Sequence, residues 1–359
     1  MINLFEPYVP KEAIEAVTDT LRSRFIGQGP RVDQFEKDFE KLFSVSHAVA
    51  LNSGSAALDT AYELIGLKEG DEVVSTPLTC TATNLLLLRK GVKIIWADIL
   101  PDTLCIDFND VAKKINSKTK AVVQVHLGGI RAEVGSCWFD HTKIPVVSDA
   151  AQALGIFSGE YSCCSFQAIK HITTIDGGMI ITKSAEDAHK AKLLRWFGID
   201  RAKKIANNWQ AYQCRKMTFD IEVPGTKRHM ADVNAAMGIV GLKHYEEVIA
   251  YRKNLFNIYK QRLSNIPGIN YVVDGKDNTY WLCTVVVERR DDFARMLFEA
   301  DVDTNVVQVR NDIYNIFGGE RAELPVMNAL EHKYLSLPLG MHVTEDEVNY
   351  ICDKIEGGW

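Results

Sequence analysis

Residues 52–55 form the first segment that could bind a ligand. They follow the apolar run at 48–51 and precede a helical pattern, and they include Gly54 and Ser55. Free backbone N–H groups at a helix N-terminus suit a phosphate, and glycine lets the backbone come close to it. A plain N-cap at Ser55 explains the same residues, because short Gly/Ser turns often begin helices. This segment alone leaves both interpretations open.

Two ionisable side chains stand near strand-like runs. Asp149 directly follows the run at 146–148, where a carboxylate could bond a protonated ring nitrogen or cap the next helix. Lys170 lies in an otherwise uncharged segment, and a partly desolvated lysine becomes a nucleophilic amine. An isolated lysine more often keeps its ammonium group in water. His171 beside it is expected to be a packing or hydrogen-bonded residue rather than a second base.

The order of these segments says more than each one does. Gln152 follows Asp149 by three residues, and Ser165 precedes Lys170, which is followed by Gly-Gly at 177–178. A phosphate-type turn, a carboxylate at a strand end and a lysine ahead of Gly-Gly are the parts that pyridoxal phosphate (PLP) catalysis needs. Further along, residues 225–232 form a polar turn just before an Ala/Gly-rich helix. Lys227 and Arg228 in this turn could meet an anion, although a solvated turn is equally compatible.

Composition and charge narrow the class of protein. The chain has 359 residues and a formal net charge of −6, without the basic face typical of nucleic-acid binders. Its longest apolar runs, such as 85–88, are far too short to span a membrane, and residues 1–6 show no secretory signal. The eight cysteines have no C-x-x-C spacing, which favours reduced thiols over disulfides or a metal site. A cytoplasmic protein without a metal is expected.

The elements that must position these residues fall into two groups. Apolar runs at 72–75, 93–96, 121–125, 145–148 and 178–181 predict strands covered on both faces, and 55–65 predicts an amphipathic helix. An α/β domain over 1–245 follows. Beyond it the patterns predict a helix at 245–263, a strand at 280–287, a helix at 291–300, a strand at 302–309 and a capping box at 344–347. This order predicts a small α+β domain over 246–359.

The sequence resembles the DegT/DnrJ/EryC1/StrS family of PLP-dependent sugar aminotransferases along essentially its whole length. The matching segments are 25–30, 52–58, 148–155, 165–178 and 335–339. The resemblance implies an aspartate aminotransferase-like fold, with a mostly parallel mixed sheet sandwiched by helices. It also implies that Lys170 carries the cofactor as a Schiff base and moves a proton. Asp149 would hold the ring nitrogen, Gln152 the 3-hydroxyl, and Gly54, Ser55 and Ser165 the phosphate.

Three positions depart from the family pattern. Lys227 stands where members commonly have an Asn that reaches the phosphate of the neighbouring subunit, which implies a homodimer with shared sites. Cys80 takes the place of the aromatic or His residue over the ring. Residues 308–312 do not match the familiar substrate-binding pattern, and Arg310 there could meet a phosphate or a carboxylate.

The resemblance also implies a reaction. A few members have His at the position of Lys170 and act as dehydratases, so lysine here implies amino transfer. The expected donor is L-glutamate and the expected acceptor is a keto group of a nucleotide-linked deoxy sugar. A small phosphorylated ketone or a keto-acid sugar is an alternative acceptor. A non-catalytic relative that binds a sugar or PLP is the alternative from another class.

Overall fold

A seven-stranded mixed sheet forms the centre of the larger part of the molecule. The computed structural model describes residues 1–134, 143–201, 203 and 220–359. The strands are β1 (His47–Leu51), β2 (Glu72–Ser75), β3 (Lys93–Trp96), β4 (Thr119–Val125), β5 (Val146–Asp149), β6 (Tyr161–Ser165) and β7 (Gly178–Thr182). Their order is β1-β7-β6-β5-β4-β2-β3, with β7 antiparallel to both its neighbours and the other pairs parallel. The predicted α/β class with a mostly parallel sheet is confirmed.

Helices cover both faces of this sheet. The helices of this part of the molecule are α1 (Lys11–Ser23), α2 (Pro30–Phe43), α3 (Gly54–Ile65), α4 (Thr81–Arg89), α5 (Phe108–Lys114) and α6 (Ala185–Leu194). Val122 and Val146 belong to one buried core, while Val123 and Val147 belong to another. Because successive strand residues point to opposite faces, both faces require apolar residues. This explains why the predicted runs are apolar throughout rather than alternating.

A three-stranded antiparallel sheet forms the second core. It has the order β10-β9-β8, from β8 (Ile269–Val272), β9 (Cys283–Val287) and β10 (Tyr334–Leu337). The helices of this part are α7 (Asp232–Leu263), α8 (Arg290–Glu299), α9 (Pro325–Leu330) and α10 (Glu345–Glu356). The capping box predicted at Thr344 is present, since Thr344 Oγ1 accepts from the Glu347 N–H at 3.2 Å and Glu347 Oε2 accepts from the Thr344 N–H at 2.8 Å.

Helix α7 connects the two cores. It has 32 residues and passes through residue 245, where the sequence predicted the start of a helix and a domain boundary. Ala235 and Leu242 pack under the large sheet, whereas Leu255 and Tyr259 pack in the core of the small sheet. Neither α7 nor any other helix in the described residues is long and apolar enough to cross a membrane.

One predicted strand is wrong. Residues 302–309 make only isolated bridges, from Val302 to Ile2 and from Asn305 to Ser336. Asp301 has a left-handed φ of 58°, so the chain enters this segment from a turn. β9 pairs instead with β10, a strand that the sequence did not predict.

Candidate active site

The turn between β1 and α3 has the features of an anion cradle. Ser53, not Ser55, caps α3, with its Oγ accepting from the Ala56 N–H at 3.1 Å. The N–H groups of the first helical turn have no intrahelical partner, so Gly54 and Ser55 present theirs at the positive end of the helix. A Cβ on Gly54 would lie 2.9 Å from Ser165 Cβ, too close for any side chain without movement. Gly54, Ser55 and the end of β6 therefore lie together, as predicted for a phosphate site.

Asp149 ends β5 as a buried carboxylate. Its side chain is 4% exposed. Oδ2 accepts from Thr83 Oγ1 at 2.7 Å, and Oδ1 accepts from the Ala151 N–H at 3.0 Å. Burial raises the pKa of Asp149, while these two donors and the charge of Lys170 act in the opposite direction. No helix follows Asp149 directly, so the alternative role as a helix cap does not apply.

Gln152 presents an amide of fixed orientation. The side chain is 3% exposed, and Oε1 accepts from the Gly128 N–H at 2.9 Å. Since the backbone N–H can only donate, the oxygen must face it and Nε2 must face away. The amide therefore offers a donor to a ligand oxygen.

Lys170 follows β6 in a tight turn, with its N–H donating to the Gln167 carbonyl at 3.0 Å. Its Nζ lies 3.8 Å from the centre of the Trp281 ring. Burial lowers the pKa of Lys170 to about 8, with the charges of Asp149 and Cys80 opposing the shift. A larger fraction of the amine is then neutral and nucleophilic at neutral pH than in an exposed lysine.

His171 has a structural environment, as its sequence context predicted. It is 1% exposed, and its Nε2 lies 2.8 Å from the Thr279 carbonyl oxygen, which can only accept. Burial lowers the pKa of His171 to about 3, so the ring is neutral and carries its proton on Nε2. It links the Lys170 turn to the segment before β9.

Cys80 is exposed and immediately precedes α4. The neighbouring Thr79 carbonyl accepts from Asn311 Nδ2 at 2.8 Å, and Asn311 Oδ1 accepts from Asn84 Nδ2 at 2.9 Å. Both asparagines are fully buried. The C-terminal part of the chain therefore holds the loop that carries Cys80.

Arg310 is already fully engaged within the protein. It is 1% exposed, and its Nε and Nη2 donate to both carboxylate oxygens of Asp312 at 2.8 and 2.6 Å. Its Nη1 donates to Asn328 Oδ1 at 2.5 Å and to Glu331 Oε2 at 2.9 Å. Every guanidinium nitrogen has an internal partner, so the structure gives the predicted substrate contact no support.

Lys227 is exposed on a segment that is held beside the start of α3. The Arg228 carbonyl accepts from the Asn52 N–H at 2.8 Å. The Arg228 guanidinium pairs with Asp59 at 2.6 Å and with Glu63 at 2.9 Å, both on α3. These contacts fix the backbone of Lys227 and leave its ammonium at the surface.

The residues present fit PLP as a group. They supply an anion cradle, a buried carboxylate for a ring nitrogen, an amide donor for a ring hydroxyl and an amine of lowered pKa. Two residues near the site were missed by sequence reasoning. Thr83 is the last residue of the segment 79–83, which resembles a family pattern around Cys80, but no role was predicted for it. Trp281 lay inside a predicted strand. Among the described residues, no cluster of His, Cys, Asp and Glu side chains could hold a metal ion.

This fold and site define a PLP-dependent aminotransferase. The model of the DegT/DnrJ/EryC1/StrS aminotransferase family matches residues 7–356, and the chain belongs to that family. The predicted family, enzyme class and cofactor are confirmed.

Individual relatives match along nearly their whole length. The spore coat polysaccharide biosynthesis protein SpsC of Bacillus subtilis is 31% identical, covering 97% of this chain and 95% of the relative. The dTDP-4-dehydro-2,3,6-trideoxy-D-glucose 4-aminotransferase of Saccharopolyspora spinosa is 29% identical, covering 99% and 96%. Among solved structures, AtS13 of Actinomadura melliaura has a TM-score of 0.91 and 30% identity, covering 100% of this chain and 99% of that one.

Proposed function

We propose that this enzyme moves an amino group from L-glutamate to a keto group of a nucleotide-linked deoxy sugar, with Lys170 as the residue that attaches the cofactor. One observation carries the assignment of Lys170: it follows β6, the strand that pairs with β5 and places Cys163 beside the buried Asp149. The charge of Asp149 therefore acts on the Lys170 amine. The class of acceptor is supported by the Saccharopolyspora spinosa relative, whose name specifies a dTDP-linked keto sugar.

Each side chain has one task in this scheme. PLP, when bound, supplies an aldehyde carbon and a ring that delocalises negative charge. Asp149 holds the proton of the ring nitrogen, since a carboxylate there favours the charged ring. Gln152 Nε2 donates to the ring hydroxyl, and Gly54, Ser55 and Ser165 bind the phosphate. Lys170 Nζ takes a proton from the substrate carbon and returns it during the cycle.

The cofactor spectrum tests this proposal. L-Glutamate should shift the absorbance of the purified enzyme toward the amine form of the cofactor, and a nucleotide-linked keto sugar should restore the original spectrum. Lys170→Ala should abolish the response, whereas Lys37→Ala, which changes an exposed lysine of α2, should leave it intact. If only small phosphorylated ketones or keto-acid sugars restore the original spectrum, one of these compounds is the acceptor instead. If no amino donor changes the spectrum, the protein is a non-catalytic binder.

The proposal includes a homodimer in which Lys227 reaches the phosphate bound by the partner subunit. Its ammonium lies at the surface, and Phe25 and Ile26 are 67% and 51% exposed, as expected for residues that a second copy covers. Mixing Lys170→Ala and Lys227→Ala proteins tests the shared site. About half of the dimers would be mixed and each would have one intact site, so about a quarter of the wild-type activity should return. If Lys227 serves its own subunit, mixing restores nothing.

A further inference from the structure

The amine of Lys170 lies over the indole ring of Trp281. Nζ lies 3.8 Å from the ring centre, well within the distance at which a cation and an aromatic face attract each other. Trp281 is 1% exposed and lies two residues before β9, so it comes to the site from the C-terminal part of the chain. The proposed roles of the other site residues leave this contact unexplained.

Contacts on several sides hold Trp281 in place. Its Nε1 donates to the Ile169 carbonyl at 3.1 Å, which ties the ring to the residue before Lys170. Phe5 stacks on it with ring centres 5.6 Å apart and an interplanar angle of 24°. Behind it, a Cβ on Gly129 would lie 2.8 Å from the Trp281 nitrogen, so the two backbones are packed directly together. The ring is therefore a fixed surface against which Lys170 can move.

The attraction depends on the charge of the amine. An aromatic face stabilises an ammonium group and does little for a neutral amine. The charged and titratable groups that act on Lys170 are Asp149 from β5 and Cys80 from the start of α4, which favour the ammonium form. His171 is neutral, and the guanidinium of Arg252 of α7 donates to the Trp281 carbonyl at 3.3 Å. A cation–π contact with Trp281 thus adds to the few interactions that stabilise the ammonium form of Lys170 against the effect of burial.

We propose that Trp281 is a positioning residue that holds the Lys170 ammonium group, in the state in which its Nζ is not bonded to the cofactor, over the face of the indole ring. The inference rests on the proposed attachment of PLP to Lys170. It assigns Trp281 two effects. The ring keeps the free amine beside the reacting carbon, and it supports the protonated form that must return a proton to the substrate.

Fluorination of Trp281 tests this without removing the side chain. Mono-, di- and trifluorotryptophan keep the shape and the indole N–H while weakening the electrostatic attraction of the ring for a cation. The readout is the pH midpoint of the rate at which PLP attaches to cofactor-free protein, since only the neutral amine reacts. The midpoint should fall stepwise with each fluorine, by about half a unit to one and a half units in total.

Trp359 supplies the matched control. It packs edge to face on Phe293, with ring centres 4.8 Å apart and an interplanar angle of 77°, against the core of the small sheet, so the same fluorination there should leave the midpoint unchanged. Trp281→Phe, which retains an aromatic face, should keep a higher midpoint than Trp281→Leu. The inference would be overturned if the pH midpoint did not change with fluorination of Trp281, or if it fell equally with fluorination of Trp281 and of Trp359. If PLP attaches normally but fluorination of Trp281 does not change the pH midpoint, the role of Trp281 is wrong and the proposed function stands. If PLP does not attach to the wild-type protein, both the role of Trp281 and the proposed function are wrong.

Discussion

Replacing Thr83 by Val removes one hydroxyl and keeps the shape of the side chain. Thr83 Oγ1 donates to Asp149 Oδ2 at 2.7 Å and also lies 3.0 Å from Thr79 Oγ1, and all three side chains are buried. The variant therefore leaves a buried carboxylate with one donor fewer and a buried hydroxyl without its partner. We expect a loss of stability that depends on the charge of Asp149.

The magnitude and its sign follow from the buried carboxylate. A hydrogen bond to a charged group contributes about 1.5–3 kcal/mol, and one between neutral groups about 0.5–1.5 kcal/mol. Burial raises the pKa of Asp149 in the folded chain, so the folded state is favoured at low pH, and that contribution is lost as pH rises through the folded pKa. The Thr83 hydroxyl offsets part of this loss by stabilising the carboxylate. Thr83→Val should thus cost more above the folded pKa of Asp149 than below it.

Urea unfolding of the cofactor-free protein, followed by circular dichroism, measures this difference. Wild type, Thr83→Val and Thr83→Ser should be compared over a pH series that spans the titration of Asp149 in the folded protein, with an unchanged m-value as the check that the transition is comparable. Thr83→Ser keeps the donor and should follow the wild type in its pH dependence. A Thr83→Val deficit that is constant or that narrows with rising pH would refute the role given to the hydroxyl.

Three further predictions follow from individual contacts. Gly54→Ala should weaken PLP binding in equilibrium dialysis by roughly tenfold or more, because its Cβ would meet Ser165. Gly357→Ala, at the end of α10 with a φ of −67°, should bind PLP normally. Gly129→Ala should lower the melting temperature more than Gly318→Ala, since both have positive φ but only Gly129 also clashes with the backbone. Arg310→Gln should cost about 3–5 kcal/mol of unfolding free energy by leaving Asp312 buried and unpaired. The KM for the sugar should stay unchanged in the folded fraction, and a selective rise in that KM would instead support the substrate contact.

Most strands of the large sheet were predictable because burial on both faces gives continuous apolar runs. The exception is β6, whose sequence of serines and cysteines after Tyr161 shows no such run and was not predicted. The single helix α7 was instead predicted in two parts, an Ala/Gly-rich helix after the turn at 225–232 and a separate helix from 245. Gly238 and Gly241 lie in its first third, and glycine disfavours a helix interior. In the structure a Cβ on Gly238 would lie 2.6 Å from the Phe35 ring, and one on Gly241 would lie 3.0 Å from Ile172. Close packing requires glycine there, and only the tertiary structure shows it.

The candidate site likewise contains some residues that the sequence indicated and others that it did not. The sequence singled out the side chains that we propose face the cofactor, because their chemical types and order are specific. It did not indicate Trp281 or Asn311, which hold Lys170 and the Cys80 loop in place. Trp281 donates to the Ile169 carbonyl, and Asn311 donates to the Thr79 carbonyl. Every residue has the same backbone carbonyl, so such a contact leaves no mark on the type of its partner. The residues that position the site therefore become visible only where the C-terminal part of the chain meets the edge of the large sheet.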